Sequence, residues 1–168
     1  MILWDLYDSN LNNTHKTVSK EEDIPDNYYH LALEIWIINS NGELLLLRNT
    51  IDYSKRYPGN WCCIGGNLQS GEDTESSIRR IIKEKIGLSS SYSIDSISNP
   101  IKRDPYKYAY ITCFVHADID INHIVFEDND SMEAKFVNKE ELIKMCNNGE
   151  IAYYLISRIN QEIIQYVK

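Results

Sequence analysis

The run Gly65-Gly-Asn-Leu-Gln-Ser-Gly-Glu72, continued by Asp73-Thr-Glu-Ser-Ser-Ile-Arg-Arg80 and Ile81-Ile-Lys-Glu-Lys-Ile-Gly-Leu88, decides how this chain is read. Its first part is rich in glycine and breaks the pattern of the strands before it. In its second part Ile78, Ile81, Ile82 and Ile86 recur at helical spacing, so the apolar period switches from two to near 3.6. Asp73 is a natural cap for the start of that helix, and Gly87 can end it in the left-handed conformation. The segment predicts a loop over Gly65–Glu72 and one helix over Asp73–Ile86.

Strand-sized apolar runs lie on the N-terminal side. Residues 1–8 read as a short strand and residues 9–27 as a long polar excursion. Tyr28 to Asn39 is apolar and β-branched, a buried strand, and Asn39-Ser-Asn-Gly42 turns it back into Glu43–Arg48. Tyr57-Pro-Gly-Asn60 interrupts the chain, and Trp61–Ile64 is a short strand entering Gly65-Gly66. On the C-terminal side, Ser91–Pro100 holds a weak strand, Lys107–Ala117 a strong one and Ala134–Val137 a short one. Asn138 with Glu141 opens a helix ending at Gly149. Ile151, Leu155, Ile159 and Ile163 mark a final amphipathic helix. The sum is an α/β (α+β) chain, a mixed β-sheet sandwiched between helices, organised as a single domain over residues 1–168.

Composition narrows the function. With 168 residues, 43% hydrophobic and 25% charged, the chain is an ordinary globular domain that needs no disulfide staples. Net charge is −8, which argues against a nucleic-acid duplex or an anionic membrane as partner but leaves room for a small phosphorylated ligand. No apolar run reaches the roughly 18 residues of a membrane span. The N-terminus carries acid where a signal peptide carries base. A cytoplasmic protein is expected, its oligomeric state open, a homodimer included. Cys62, Cys63, Cys113 and Cys146 form no CxxC pair and read as thiols, most of them buried. His15, His30, His116 and His123 have no partner at metal-ligand spacing.

The quoted stretch resembles the Nudix box: Gly, five residues, Glu, seven residues, Arg-Glu, an apolar residue, any residue, Glu-Glu, any residue, Gly, an apolar residue. Gly66, Glu72, Arg80, Ile82, Glu84, Gly87 and Leu88 fall in register. Two positions depart: Ile81 stands for the Glu of Arg-Glu, and Lys85 for the second Glu of Glu-Glu. No one-residue shift recovers them. Tyr57-Pro-Gly-Asn-Trp61 and Ala134-Lys-Phe-Val-Asn-Lys-Glu-Glu-Leu142 also look like family segments. Leu3-Trp-Asp-Leu-Tyr-Asp8 is similar to the Nudix proteins nearest isopentenyl-diphosphate isomerases.

The resemblance implies a Nudix fold and a hydrolase of a (nucleoside) diphosphate-linked substrate, with Mg²⁺ or Mn²⁺ assisting the attack of water on phosphorus. It implies that Glu72 and Arg80 form an ion pair fixing loop to helix. Positions 81, 84 and 85 lie at i, i+3 and i+4 and share one face. In the family that face carries three carboxylates binding the metal through hard oxygens. Here it offers Glu84 alone, so weak turnover and weak or substrate-dependent metal binding are expected. Late acids are candidates to make up the deficit, Asp130 and Glu133 within the cluster Glu127, Asp128, Asp130, Glu133; the plainer reading of that cluster is a solvated acidic loop. Gly65, Gly66 and Lys85 are candidates for phosphate contact, since glycines let backbone approach a diphosphate closely and an ammonium can stand where a metal would. The plainer readings are a surface Lys85 snorkelling along the helix and an Ile81 that extends the stripe of Ile78 and Ile82 into the core. Two further functions stay open at this point. One is a catalytically silent diphosphate-binding protein. The other, ranked last, is an isomerase-like enzyme, whose Cys is followed by Ser-His in that family but whose place here reads Ile64-Gly65.

Overall fold

The computed structural model describes all residues except 53, 54 and 128. Its elements, in chain order, are β1 (Leu3–Tyr7), β2 (Asn13–Ser19), β3 (His30–Ile38), β4 (Leu44–Asn49), β5 (Trp61–Cys62), β6 (Ile64–Asn67), α1 (Thr74–Ile86), β7 (Ser93–Ile97), β8 (Ile101–Arg103), β9 (Tyr108–His116), β10 (Ser131–Val137), α2 (Lys139–Asn147) and α3 (Tyr153–Arg158). β1 and β2 make a separate antiparallel hairpin. The main sheet runs β10-β4-β3-β9-β7 and is mixed, because β3 and β9 pair in parallel while the other pairs are antiparallel.

Alternation along β3 and β9 sends side chains to two different cores. Leu31, Leu33, Ile35 and Ile37 with Ile111, Cys113 and Val115 pack against Ile78, Ile81, Ile82 and Ile86 of α1. On the opposite face Trp36, Leu44 and Leu46 pack against Leu142, Met145, Leu155, Ile159 and Ile163 from α2 and the C-terminal helix. Helices therefore cover both faces of a mixed sheet, as the apolar periodicities predict.

The feature that makes a site is a fork. β3 and β4 pair only at Ile38–Leu44 and then diverge. The chain at 61–67 crosses the gap, pairing with β4 through Trp61 and Cys62 and then with β3 through Ile64–Asn67. The single strand expected over Trp61–Ile64 is thus two, broken at Cys63, where the partner changes.

Three other expectations are corrected. The polar excursion 9–27 contains β2, whose only buried side chain is Val18, so no apolar alternation advertised it. β8 follows Pro100 and was hidden in a polar segment. The final helix starts at Tyr153, not Ile151, and Ile159–Ile163 widens into a π-helical turn. A strict four-residue spacing drifts off a 3.6-residue helix, and a wider turn keeps Ile163 over the core. α1 matches its expected span, with the Asp73 carboxylate accepting from the Ser76 N–H at 2.7 Å and Gly87 at φ 72°.

Candidate functional site

The loop before α1 is held by a latch. Glu72 accepts from Arg80 Nε at 2.6 Å and Nη2 at 2.7 Å, from the Ser77 hydroxyl at 2.7 Å and from the Gln69 N–H at 3.0 Å. Arg80 Nη2 also donates to the Asn67 carbonyl at 2.9 Å, which ties α1 to the end of β6. These donors favour the ionised form, and the Arg80 guanidinium foremost among them holds the Glu72 carboxyl down at about 2. The hairpin grips the same loop: Ser70 Oγ donates to Asp5 at 2.5 Å and the Ser70 N–H to the Leu3 carbonyl at 2.8 Å.

The three positions of the helical face go to three different places. Ile81 is buried and packs on Gly66, where an added Cβ would meet Ile81 Cδ1 at 2.7 Å. Glu84 turns back to Arg80 Nη1 at 3.1 Å and is half exposed. Lys85 is largely covered and reaches Asp130 at 3.4 Å. The stripe reading of Ile81 fits this packing, whereas the surface reading of Lys85 does not, because its side chain is only 20% exposed.

Asp130 is bridged by two ammonium groups, Lys55 and Lys85. Glu133 lies 3.3 Å from Arg48 Nη1. Asp128 falls outside the described residues. The four acids named from the sequence, Glu72, Glu84, Asp130 and Glu133, are therefore each engaged by a cation. Among the described residues no three His, Cys, Asp or Glu side chains converge as a metal-holding group. This donor set does not fit a preassembled divalent centre, because a hard cation needs carboxylate oxygens that cationic side chains already occupy.

A cleft of about 580 Å³ opens at the fork, within the range of small-ligand sites. On its α1 side stand Lys85, Lys55 and Asp130, with Arg56 also in the wall; on the α3 side stand Glu34, Tyr110 and Tyr154. Gly65 and Gly66 line it as well, but they are strand residues of β6 paired to Glu34 and Leu33, not part of a loop before the helix. The loop is shorter than expected and begins after Asn67. The lack of a Cβ at Gly66 serves the close approach of α1, through Ile81.

Sequence reasoning missed the α3 side. Glu34 and Arg158, 124 positions apart, form a buried ion pair through Oε1 and Nη1. Arg158 also lies over the Tyr110 ring at 3.8 Å. Glu34 Oε2 is buried with no hydrogen-bond partner among the described residues. Burial, only partly offset by Arg158, pushes the Glu34 carboxyl up to about 7. A glutamate inside the apolar run Leu31-Ala-Leu-Glu-Ile-Trp-Ile-Ile38 was the one available signal, since charged residues are almost never fully buried unless paired. His30 stacks on Trp4 at 4.5 Å between ring centres and lines the cleft. Cys62 and Cys63 line it too; burial pushes the Cys62 thiol up to about 12 and the Cys63 thiol well above its ordinary value, so neither is a thiolate nucleophile.

A family model described as NUDIX domain matches residues 28–157. An uncharacterized Nudix hydrolase of Listeria innocua is 26% identical over 163 residues, covering 93% of this chain and 92% of its own. An isopentenyl-diphosphate Delta-isomerase of Citrobacter koseri is 36% identical, but over 64 residues that cover 38% of this chain and 35% of its own. Among solved structures, a protein of Deinococcus radiodurans superposes with a TM-score of 0.69 at 19% identity, covering 93% of this chain and 98% of that one. An Ap4A hydrolase of C. elegans superposes with a TM-score of 0.56 at 17% identity, over 81% and 98%. The last two likenesses concern the fold.

Proposed function

Because the chain belongs to the Nudix family, we propose that it takes a small diphosphate-linked molecule in the cleft at the fork and hydrolyses it slowly, by water attack on phosphorus. The observation that carries this reading is Lys85. In box register it replaces a carboxylate, and it faces the cleft beside Lys55, with Arg56 in the same wall. Both ammonium groups reach Asp130, and a charge-assisted donor that serves a carboxylate also suits phosphate oxygens. The Glu72–Arg80 latch fixes the helix that presents Lys85.

Slow turnover follows from the same residues. Ile81 and Lys85 take two carboxylates off the face, and a positioned general base alone is worth about 10²–10⁴ in rate. The Mg²⁺ or Mn²⁺ of the family would have to arrive on the substrate's phosphates, because Glu84, Asp130 and Glu133 are ion-paired. The ligand is a small molecule and not a nucleic-acid duplex, the chain a single cytoplasmic domain; the net charge of −8 supports the first point.

The packing of Ile81 on Gly66 favours a second reading, a diphosphate-binding protein without turnover, since that position is built into the core. A panel of diphosphate-linked substrates with Mg²⁺ and with Mn²⁺, run beside Glu84→Gln, separates the two. Slow metal-dependent hydrolysis, lowered at least about tenfold by the substitution, supports the hydrolase. Binding without hydrolysis supports the second reading. Neither binding nor hydrolysis overturns both.

A further inference from the structure

The cleft has two chemically different sides. The α1 side carries Lys55 and Lys85 around Asp130. The α3 side carries a carboxylate set among tyrosines, with Tyr110 and Tyr154 in the wall and Tyr57 against Tyr154 at 5.1 Å between ring centres. A phosphate is repelled by Glu34 and attracted to the lysines, so a diphosphate-linked ligand has one favoured orientation. Its phosphates lie towards α1 and its other end towards Glu34.

Glu34 is 5% exposed, yet its Oε2 has no donor among the described residues. An unpaired buried carboxylate oxygen is costly, and the usual remedy is a hydrogen bond from something that enters the site. Arg158 does not supply it: its hydrogen bond to Glu34 goes to Oε1, and its Nε and Nη2 have no acceptor among the described residues. Arg158 instead lies on the Tyr110 face, holding that ring and Oε1 together. Glu34 lines the cleft, so an N–H or O–H donor carried by a ligand can meet Oε2, and tyrosine faces beside it suit a flat ring.

We propose that Glu34 is the specificity-determining residue of the cleft, accepting a hydrogen bond through Oε2 from the exocyclic amino group of a nucleobase whose ring lies among Tyr110 and Tyr154. This rests on the reading of the cleft as a diphosphate site and names the substrate class, an amino-bearing nucleoside diphosphate or its conjugate. One free oxygen beside an occupied one selects a single amino donor. Arg158 is a positioning residue that fixes the carboxylate and touches no ligand.

The test is calorimetric titration of the full chain with inorganic pyrophosphate and with matched pairs differing only in the amino group, ADP against purine-riboside diphosphate and GDP against IDP. At least one amino-bearing member should bind about tenfold or more tighter than its partner, since a site built to bond a donor rejects the analogue lacking it. Glu34→Gln should erase that margin without weakening pyrophosphate, since it removes a charge that repels phosphate. If Glu34→Gln fails to fold, Glu34→Met with Arg158→Met removes the buried pair as a unit and should erase the margin equally. Pyrophosphate binding with no margin in the wild type, or a margin that survives the double change, overturns this proposal and leaves the diphosphate reading standing. No binding of pyrophosphate or any nucleotide overturns both.

Discussion

The protein holds two Glu–Arg pairs on opposite sides of its sheet, and they behave in opposite ways. Glu72 receives two bonds from Arg80, one from Ser77 and one from the Gln69 N–H, and its carboxyl is held at about 2. Glu34 has a bond from Arg158 at one oxygen only, lies deeper, and is pushed up to about 7. The difference is the count of donors against the depth of burial. A saturated carboxylate is a fastener, and its charge is spent on shape. An under-supplied one is a site, because it still has a bond to make.

The largest expected effect breaks the second pair. Arg158→Met leaves Glu34 buried without its cation, and unfolding in urea at pH 8 should show a loss of about 3–5 kcal/mol. The loss should shrink towards pH 6, as Glu34 takes up a proton. A loss below about 1 kcal/mol would show that the pair is not desolvated as described.

Breaking the latch should cost less. Arg80→Met leaves Glu72 with Ser77, the Gln69 N–H and access to water, so about 2 kcal/mol is expected by the same measurement. A cost above that of Arg158→Met would reverse the comparison.

The pH dependence of stability separates the two carboxylates without removing an arginine. Glu34 is raised above its ordinary 4.5, so the folded state holds the extra proton and stability falls as pH rises from about 4.5 through 7. Glu72 is depressed, so its contribution is complete above 4.5 and is lost as pH falls towards 2. Glu34→Gln should flatten the upper limb of the profile and Glu72→Gln the lower. Exchanged effects would mean that the two assignments are reversed.

The smallest effect is expected at the late acid. Glu133 and Arg48 form a half-exposed pair, so Glu133→Gln should change stability by no more than about 0.5 kcal/mol. A larger change would give that loop a structural role its exposure does not suggest.

The first pair was legible and the second was not. The helix over α1, its Asp73 cap and its Gly87 stop sit within one short run, where spacing fixes geometry, while the contact of Arg80 with Glu72 was an expectation carried by the resemblance to the Nudix box. Ile81 was legible as part of the apolar stripe, and it does lie in the core. The fork was not legible. Gly65 and Gly66 have poor strand propensity and were assigned to a loop, yet they pair with β3 because the sheet opens there to receive them. Glu34 and Arg158 meet only when β3 and α3 pack, and no local period links residues 124 apart. The same holds for Lys55, which meets Lys85 at Asp130 from a distant loop.

The central claim is that cations at the α1 side of the cleft hold a diphosphate. The measurement that bears on it most directly is calorimetric titration of pyrophosphate into the wild type and Lys85→Met, both in EDTA. The account predicts saturable binding by the wild type without metal, weakened about tenfold or more by the substitution, as expected on losing a charge-assisted bond. Equal binding by both proteins, or no binding by either, would contradict it.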